Sequence, residues 1–229
     1  MRVFSFMVLI ALLTIAGVTF VIHSQTTPRP LRSFLVTTVM SSPEQGSPYL
    51  HTSTLAQAVR SDGSWVRIST RMIGGQEQYA RDIHDFESGV WTIVDDTTRS
   101  VVQGSIRPKE YKHRLEPSVS CEGTPAGQIL GVAVSYSETT QDITGNPQGD
   151  ATALIKRWVA QDLGCFVLKK ETRWNRKSDG VLLVDTKITP IAVSFEKVDQ
   201  FFEIPASYTK RTRKEALDLL TQQLNQLNP

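Results

Sequence analysis

This sequence lacks an excess of either acidic or basic residues. Its 229 residues carry 25 Lys+Arg and 23 Asp+Glu, a formal net charge of +2. A near-neutral chain exerts no whole-molecule pull on nucleic acid, so no nucleic-acid partner is expected and any anion binding must come from local patches. Cysteine is scarce, with Cys121 and Cys165 alone. A zinc centre needs more ligands than two thiolates. None of the four histidines, His23, His51, His84 and His113, stands at ligand spacing from either cysteine. No metal or other cofactor is expected. The G-x-S-x-G elbow of a serine nucleophile is absent, and Gly74-Gly75 lacks the downstream Gly-Lys of a phosphate loop. Residues 142–150 (DITGNPQGD) offer oxygen ligands but not the alternate acids and final Glu of a calcium loop, so they read as a turn. No repeat of 20–50 residues appears, which argues against a propeller or solenoid. Strands do not alternate with long helices, so a doubly wound parallel sheet is not expected.

What is present begins with one long apolar run. Arg2 precedes residues 3–22, which hold no charge, and His23, Ser24 and Gln25 end the run. A basic start, an apolar stretch and a polar exit describe a secretory signal over residues 1–24. Twenty apolar residues also suffice to cross a bilayer, so an uncleaved anchor is the rival reading. Either way the remainder is expected outside the cytoplasm, in the periplasm or cell envelope. Residues 25–32, with Pro28 and Pro30, read as a linker, and residues 33–229 as a single domain.

In an oxidising compartment Cys121 and Cys165 form one disulfide; the alternative is two buried thiols. Closing a loop of about 44 residues would stabilise the fold by roughly 4 kcal/mol in the chain-entropy description.

The body of the chain is punctuated into short strands. Residues 33–40 are rich in β-branched side chains. Residues 52–60 and 65–71 flank Ser61-Asp62-Gly63-Ser64, and residues 79–86 and 90–94 flank Glu87-Ser88-Gly89, so each pair predicts a hairpin. Residues 98–102 follow. Residues 107–116 are charged and irregular, with room for a short helix. A strand centred on 132–136 leads to 153–159 and 166–174 around Asp162-Leu163-Gly164, then to two strands at 181–188 and 191–198 separated by Pro190. About ten strands at hairpin spacing predict a mainly β fold of the α+β kind, built on an antiparallel sheet.

The end of the chain is different. Thr212 followed by Glu215 is a capping-box pattern, and Leu217, Leu220, Leu224 and Leu227 recur as one helical stripe that needs a docking surface. Lys210, Arg211, Arg213 and Lys214 cluster at the start of this C-terminal helix. Positive charge there opposes the helix dipole, which singles the cluster out as a contact for an anionic surface such as a membrane; a solvated basic face is the alternative.

Four tryptophans, Trp65, Trp91, Trp158 and Trp174, all fall in strand-like runs, as does Phe166. Gathered on one sheet face they would line an apolar site; otherwise they are core and rim. Asp82 and His84 share a strand face, the germ of a hydrolase, although an exposed polar strand end is the favoured explanation.

Two stretches carry a family resemblance. Residues 158–171 (WVAQDLGCFVLKKE) resemble the tryptophan-bearing hairpin of lipoprotein carriers of the LolA/LolB type. Residues 201–208 (FFEIPASY) resemble the Phe-x-x-Pro-x-x-Tyr closing segment of exported half-barrel domains in that group. The resemblance implies a strongly curved antiparallel sheet, a half-open β-barrel, whose concave face takes up an acyl chain from a lipid or lipidated protein. It implies a non-enzymatic envelope protein with an apolar cavity above roughly 300 Å³. A tethered structural or interaction module presenting a sheet edge or the leucine stripe is the alternative.

Overall fold

The computed structural model describes residues 31–43, 50–73, 76–117 and 120–227. The apolar run at 3–22 lies outside them, as do Gly74-Gly75. The strands are β1 (Phe34–Pro43), β2 (Leu50–Val59), β3 (Trp65–Ile73), β4 (Gln76–Asp85), β5 (Val90–Asp95), β6 (Ser100–Ser105), β7 (Thr124–Ile129), β8 (Val132–Ile143), β9 (Ala151–Ala160), β10 (Phe166–Arg176), β11 (Leu182–Ser194) and β12 (Thr209–Lys210). Among the described residues one α-helix, α1 (Arg213–Leu227), follows β12.

All twelve strands form one sheet in the order β12-β6-β5-β4-β3-β2-β1-β11-β10-β9-β8-β7. Two meanders, β1 to β6 and β7 to β11, are joined where β1 pairs antiparallel with β11, and only β12 runs parallel to its neighbour, β6. So wide a twisted sheet curls, and here it curves into an open half-barrel. The mainly β, antiparallel, half-open architecture expected from the sequence is the one observed.

Turn chemistry explains the meanders. In the β2–β3 turn Asp62 accepts the backbone N–H of Ser64 at 2.9 Å, and Gly63 takes φ +84°. The Ser64 hydroxyl donates to Asp62 at 2.9 Å and accepts the N–H of Phe86 at 2.9 Å, tying two hairpins together. Two expectations need correction. Pro190 does not divide two strands: β11 is continuous, because Pro190 lies beside a bulge where Thr37 pairs Ala192 and Thr38 pairs Pro190. A bulge tolerates the missing N–H. The strand centred on 132–136 is one arm of a hairpin whose other arm, β7, carries no strand signal in the sequence; Leu130 (φ +50°) and Gly131 (φ +78°) make its two-residue turn. The irregular stretch after β6 contains a 3-10 helix at Pro108–His113.

Successive residues point to opposite faces, and both faces are packed. Phe34, Val36, Val59 and Trp65 belong to one buried cluster, which also holds Val132, Val134, Leu163 and Leu168. Their neighbours Leu35, Ala58 and Val66 face a second cluster with Ile83, Val94 and Val101.

Each cluster is covered by a chain segment. The crossover between β6 and β7 passes over the first. Ile106 is buried in it, Leu115 packs against it, and Tyr111 meets Phe86 with ring centres 5.4 Å apart. Arg114 donates to the Asp62 carbonyl at 2.6 Å, and a Cβ on Gly63 would collide with the Leu115 carbonyl oxygen, so the crossover lies directly on the β2–β3 turn. At its far end Cys121 is disulfide-bonded to Cys165.

The segment after β11 covers the second cluster with Val198, Phe202 and Tyr208. Arg60 stacks over Phe202 at 3.9 Å and pairs with Asp199 at 2.7 Å. Helix α1 is capped as the sequence predicts: Thr212 N–H donates to Glu215 at 2.7 Å, and Glu215 N–H donates to the Thr212 hydroxyl at 3.2 Å.

Candidate functional site

The strand registers bring one row of side chains across six strands. Phe34 pairs with Val59, Val59 with Trp65, Trp65 with His84, His84 with Trp91 and Trp91 with Gly104. Directly opposed residues share a face, so this row is a continuous aromatic and apolar band. Trp65 is buried, while Trp91 is half-buried against the same cluster. From the other meander Phe166 packs edge-on to Phe34 at 5.1 Å, and Trp158 packs against the same cluster with Tyr136 5.0 Å from its ring. Of the five aromatic residues singled out from sequence, Trp65, Trp91, Trp158 and Phe166 therefore meet. Trp174 stands apart, opposite Ala153 and Val184 on β10, with a buried indole N–H that has no protein partner.

His84 lies within this band. Its ring is stacked on Trp65 at 4.0 Å with 14° between planes, and its Nε2 lies 3.4 Å from Asp82. The sequence pairing of Asp82 with His84 is thus realised, but against the face of an indole.

The 3-10 helix of the crossover is fixed by an ion pair. Arg107 N–H donates to Glu110 at 2.8 Å and its guanidinium donates to the same carboxylate at 3.1 Å. Those bonds hold the Glu110 carboxyl down to about 2, burial opposing them, with the charge of Arg107 adding a smaller effect.

Beside Trp158 the same meander carries charge that no sequence motif marks. Glu171 on β10 sits directly between Lys156 on β9 and Lys187 on β11, and Arg173 sits between Leu154 and Asp185. These side chains line a cleft of about 200 Å³. Lys169 pairs with Glu171 at 2.9 Å and lies 4.0 Å over the Trp158 ring. The hydrogen bond from Lys169 pulls the Glu171 carboxyl below its usual range, partly offset by burial; the charges of Lys169, Lys187 and Lys156 add to the lowering. A second, shallower groove of about 400 Å³ runs along the crossover beside Tyr111, Leu115 and Cys165. Neither opening is lined by the four tryptophans or Phe166, so neither is the aromatic-walled cavity expected above 300 Å³.

The basic cluster is at another place in the fold. Lys210 is on β12, and Arg213 and Lys214 open α1, all three exposed. Arg211 is half-buried, its backbone N–H bonded to the Val101 carbonyl at 2.8 Å.

These features define a class: an open antiparallel half-barrel with an aromatic band on one face, strapped by its own disulfide-anchored crossover. Among solved structures the chain is similar to a LolA superfamily protein from Nitrosomonas europaea, with 8% identity and TM-score 0.34 over 77% of this chain and 92% of that one. It is also similar to a domain assigned to outer-membrane lipoprotein sorting from Vibrio parahaemolyticus, with 9% identity and TM-score 0.31 over 74% and 89%. An uncharacterized conserved protein from Thermus thermophilus matches with 11% identity and TM-score 0.35 over 80% and 93%. No family model matches the sequence, and no curated protein does. At these scores the likeness carries no weight for function, which rests on the residues of this chain.

Proposed function

We propose that this is an exported, non-enzymatic envelope protein that binds the acyl chain of a lipid or lipidated protein on its aromatic face. One observation carries the reading: Trp65, Trp91, Trp158 and Phe166, from four strands of two meanders, converge on one cluster beneath a single crossover. Aromatic area of this kind binds a chain through burial, at roughly 25 cal/mol per Å² removed from water, and needs no directed chemistry. The half-buried rings of Trp91, Trp158 and Phe166 are the points of entry. The crossover covers the cluster these rings pack against, so a ligand is admitted when Leu115 lifts away from that cluster.

The test is quenching of tryptophan fluorescence by a fatty acid brominated along its chain, with native mass spectrometry of protein extracted gently from its source membranes. Quenching together with co-purifying lipid supports the reading. Emission unchanged by the brominated chain, with protein that carries no lipid, removes it. Intact mass of the native protein reports whether residues 1–24 are cleaved as a signal or kept as an anchor. Sedimentation with anionic but not neutral vesicles tests the basic cluster at Lys210, Arg211, Arg213 and Lys214 as a membrane contact.

A second reading, a tethered interaction module, is favoured by Leu217, which is 55% exposed on α1. It expects Leu217→Asp to abolish a partner complex while leaving acyl-chain quenching unchanged.

A further inference from the structure

The charged cleft beside Trp158 is built differently from an ordinary solvated sheet face. On such a face each acid normally meets one base across the ladder, and like charges are kept apart because directly opposed or converging cations repel. Here Lys156 and Lys187 flank Glu171 from both neighbouring strands, and Lys169 reaches it from the same strand at 2.9 Å. One carboxylate therefore has three ammonium groups around it, Lys169 paired with it and Lys156 and Lys187 acting through their charges. Lys156 itself pairs with Glu138 at 3.7 Å. Arg173 and Lys187 have no ion-pair partner within salt-bridge distance among the described residues, although Asp185 stands across from Arg173. The concavity thus collects more positive than negative charge, and part of that charge is unmatched by the protein.

Position adds a second constraint. Lys169 lies 4.0 Å over the Trp158 ring, and Trp158 packs against the aromatic cluster. The cationic cleft is consequently continuous with the apolar band, with Lys169 at the boundary between them. At about 200 Å³ the cleft is too small for a whole lipid, since sites for drug-sized ligands run from about 300 Å³ upward, but it accommodates a carboxylate or phosphate group.

We propose that the cleft lined by Lys156, Arg173 and Lys187, with Lys169 at its border, receives the anionic headgroup, carboxylate or phosphate, of a single-chain amphiphile whose acyl chain runs past Trp158 onto the aromatic band. This rests on the acyl-binding reading above and specifies its ligand class. The ammonium groups satisfy the headgroup oxygens by charge-assisted hydrogen bonds, and Thr172 and the neighbouring backbone set the floor of the cleft. Glu171 holds the lysines in place and excludes anions too large to share the site with it.

The experiment compares three probes on the full chain, namely palmitate, uncharged monopalmitoylglycerol of the same chain length, and inorganic phosphate. Palmitate is expected to bind about tenfold tighter than the neutral probe at low salt, with the gap closing as added salt screens the cleft. Lys156→Gln with Lys187→Gln is expected to close most of that gap while leaving the affinity for the neutral probe unchanged. The salt series on the unsubstituted protein gives the same information without a variant.

Equal binding of the two acyl probes at low salt overturns the headgroup assignment and leaves acyl binding intact. A preference that survives both the double substitution and high salt also overturns it. Phosphate binding as tightly as palmitate overturns the amphiphile in favour of a free anion. Failure of both acyl probes overturns the acyl-binding reading and this inference with it.

Discussion

Gly104 leaves the space that Trp91 occupies: a Cβ on Gly104 would lie 2.7 Å from three atoms of the indole. The two residues are directly opposed on β6 and β5, so the ring lies flat across its neighbour strand and continues the aromatic band onto β6. Gly104→Val is expected to push Trp91 outward, destabilise the fold by about 1–3 kcal/mol and shift tryptophan emission to the red. Denaturant titration followed by fluorescence checks both. An unchanged midpoint with unchanged emission would show that the ring does not depend on this gap.

The disulfide between Cys121 and Cys165 spans 44 residues of sequence and fastens the end of the crossover beside the β9–β10 turn. Replacing both cysteines by alanine is expected to cost about 2–4 kcal/mol by freeing that loop in the unfolded chain. A local effect should accompany it. Backbone amides of the crossover should exchange faster with solvent, while those of the β2–β3 ladder, which the bond does not touch, change only with global stability. Exchange mass spectrometry of the two forms separates these contributions.

Much of the fold was legible because polar turn residues punctuate it. Asp62-Gly63, Glu87-Ser88-Gly89 and Leu163-Gly164 each fall between apolar runs and each closes a hairpin. The β7–β8 hairpin escaped because its turn puts Leu130, rather than Asn or Gly, at positive φ, and because β7 carries Pro125 and a register shift before Gln128. Pro190 misled for the opposite reason, as a break signal that the bulge absorbs. The pairing of β1 with β11, which joins the two meanders, leaves no local trace because it is fixed only by packing across the whole chain. The candidate site divides similarly. Trp65, Trp91, Trp158 and Phe166 could be named from residue type. The cleft could not, since Lys156, Glu171 and Lys187 lie on three strands and meet only through register.

Acid should loosen the crossover in a defined window. The Glu110 carboxyl is held down to about 2, chiefly by its hydrogen bond from the Arg107 side chain. A depressed carboxylate contributes stability that is fully present above its unfolded value of about 4.3 and is lost as pH falls through its folded value. The contribution therefore declines between about pH 4 and pH 2 and is constant above that range. Glu110→Gln should remove this part of the acid profile and leave the neutral-pH arm parallel to that of the unsubstituted protein. Stability measured from pH 7 to pH 2 for both forms gives the comparison. Identical profiles would mean that the Arg107–Glu110 contact does not hold the crossover.

The segment that closes the second face hangs on Arg81. Its guanidinium donates two hydrogen bonds to Asp96, at 3.2 and 2.9 Å, and two more to the carbonyls of Phe201 and Glu203, at 3.2 and 2.8 Å. Tyr208 donates to the same Asp96 at 2.9 Å, so the two ends of the 201–208 motif converge on one ion pair whose arginine side chain is only 12% exposed. Truncating Arg81 to alanine leaves Asp96 without its cation and two carbonyls without a donor, and is expected to cost about 2–4 kcal/mol. Tyr208→Phe removes one hydrogen bond and should cost about 1 kcal/mol. Because both side chains bind one carboxylate, their losses should not add, and the double variant should depart from the sum by at least about 0.5 kcal/mol. A double-mutant cycle in denaturant measures that departure. Strict additivity would mean that Phe202 packing in the second cluster, and not the Asp96 junction, holds the closing segment to the sheet.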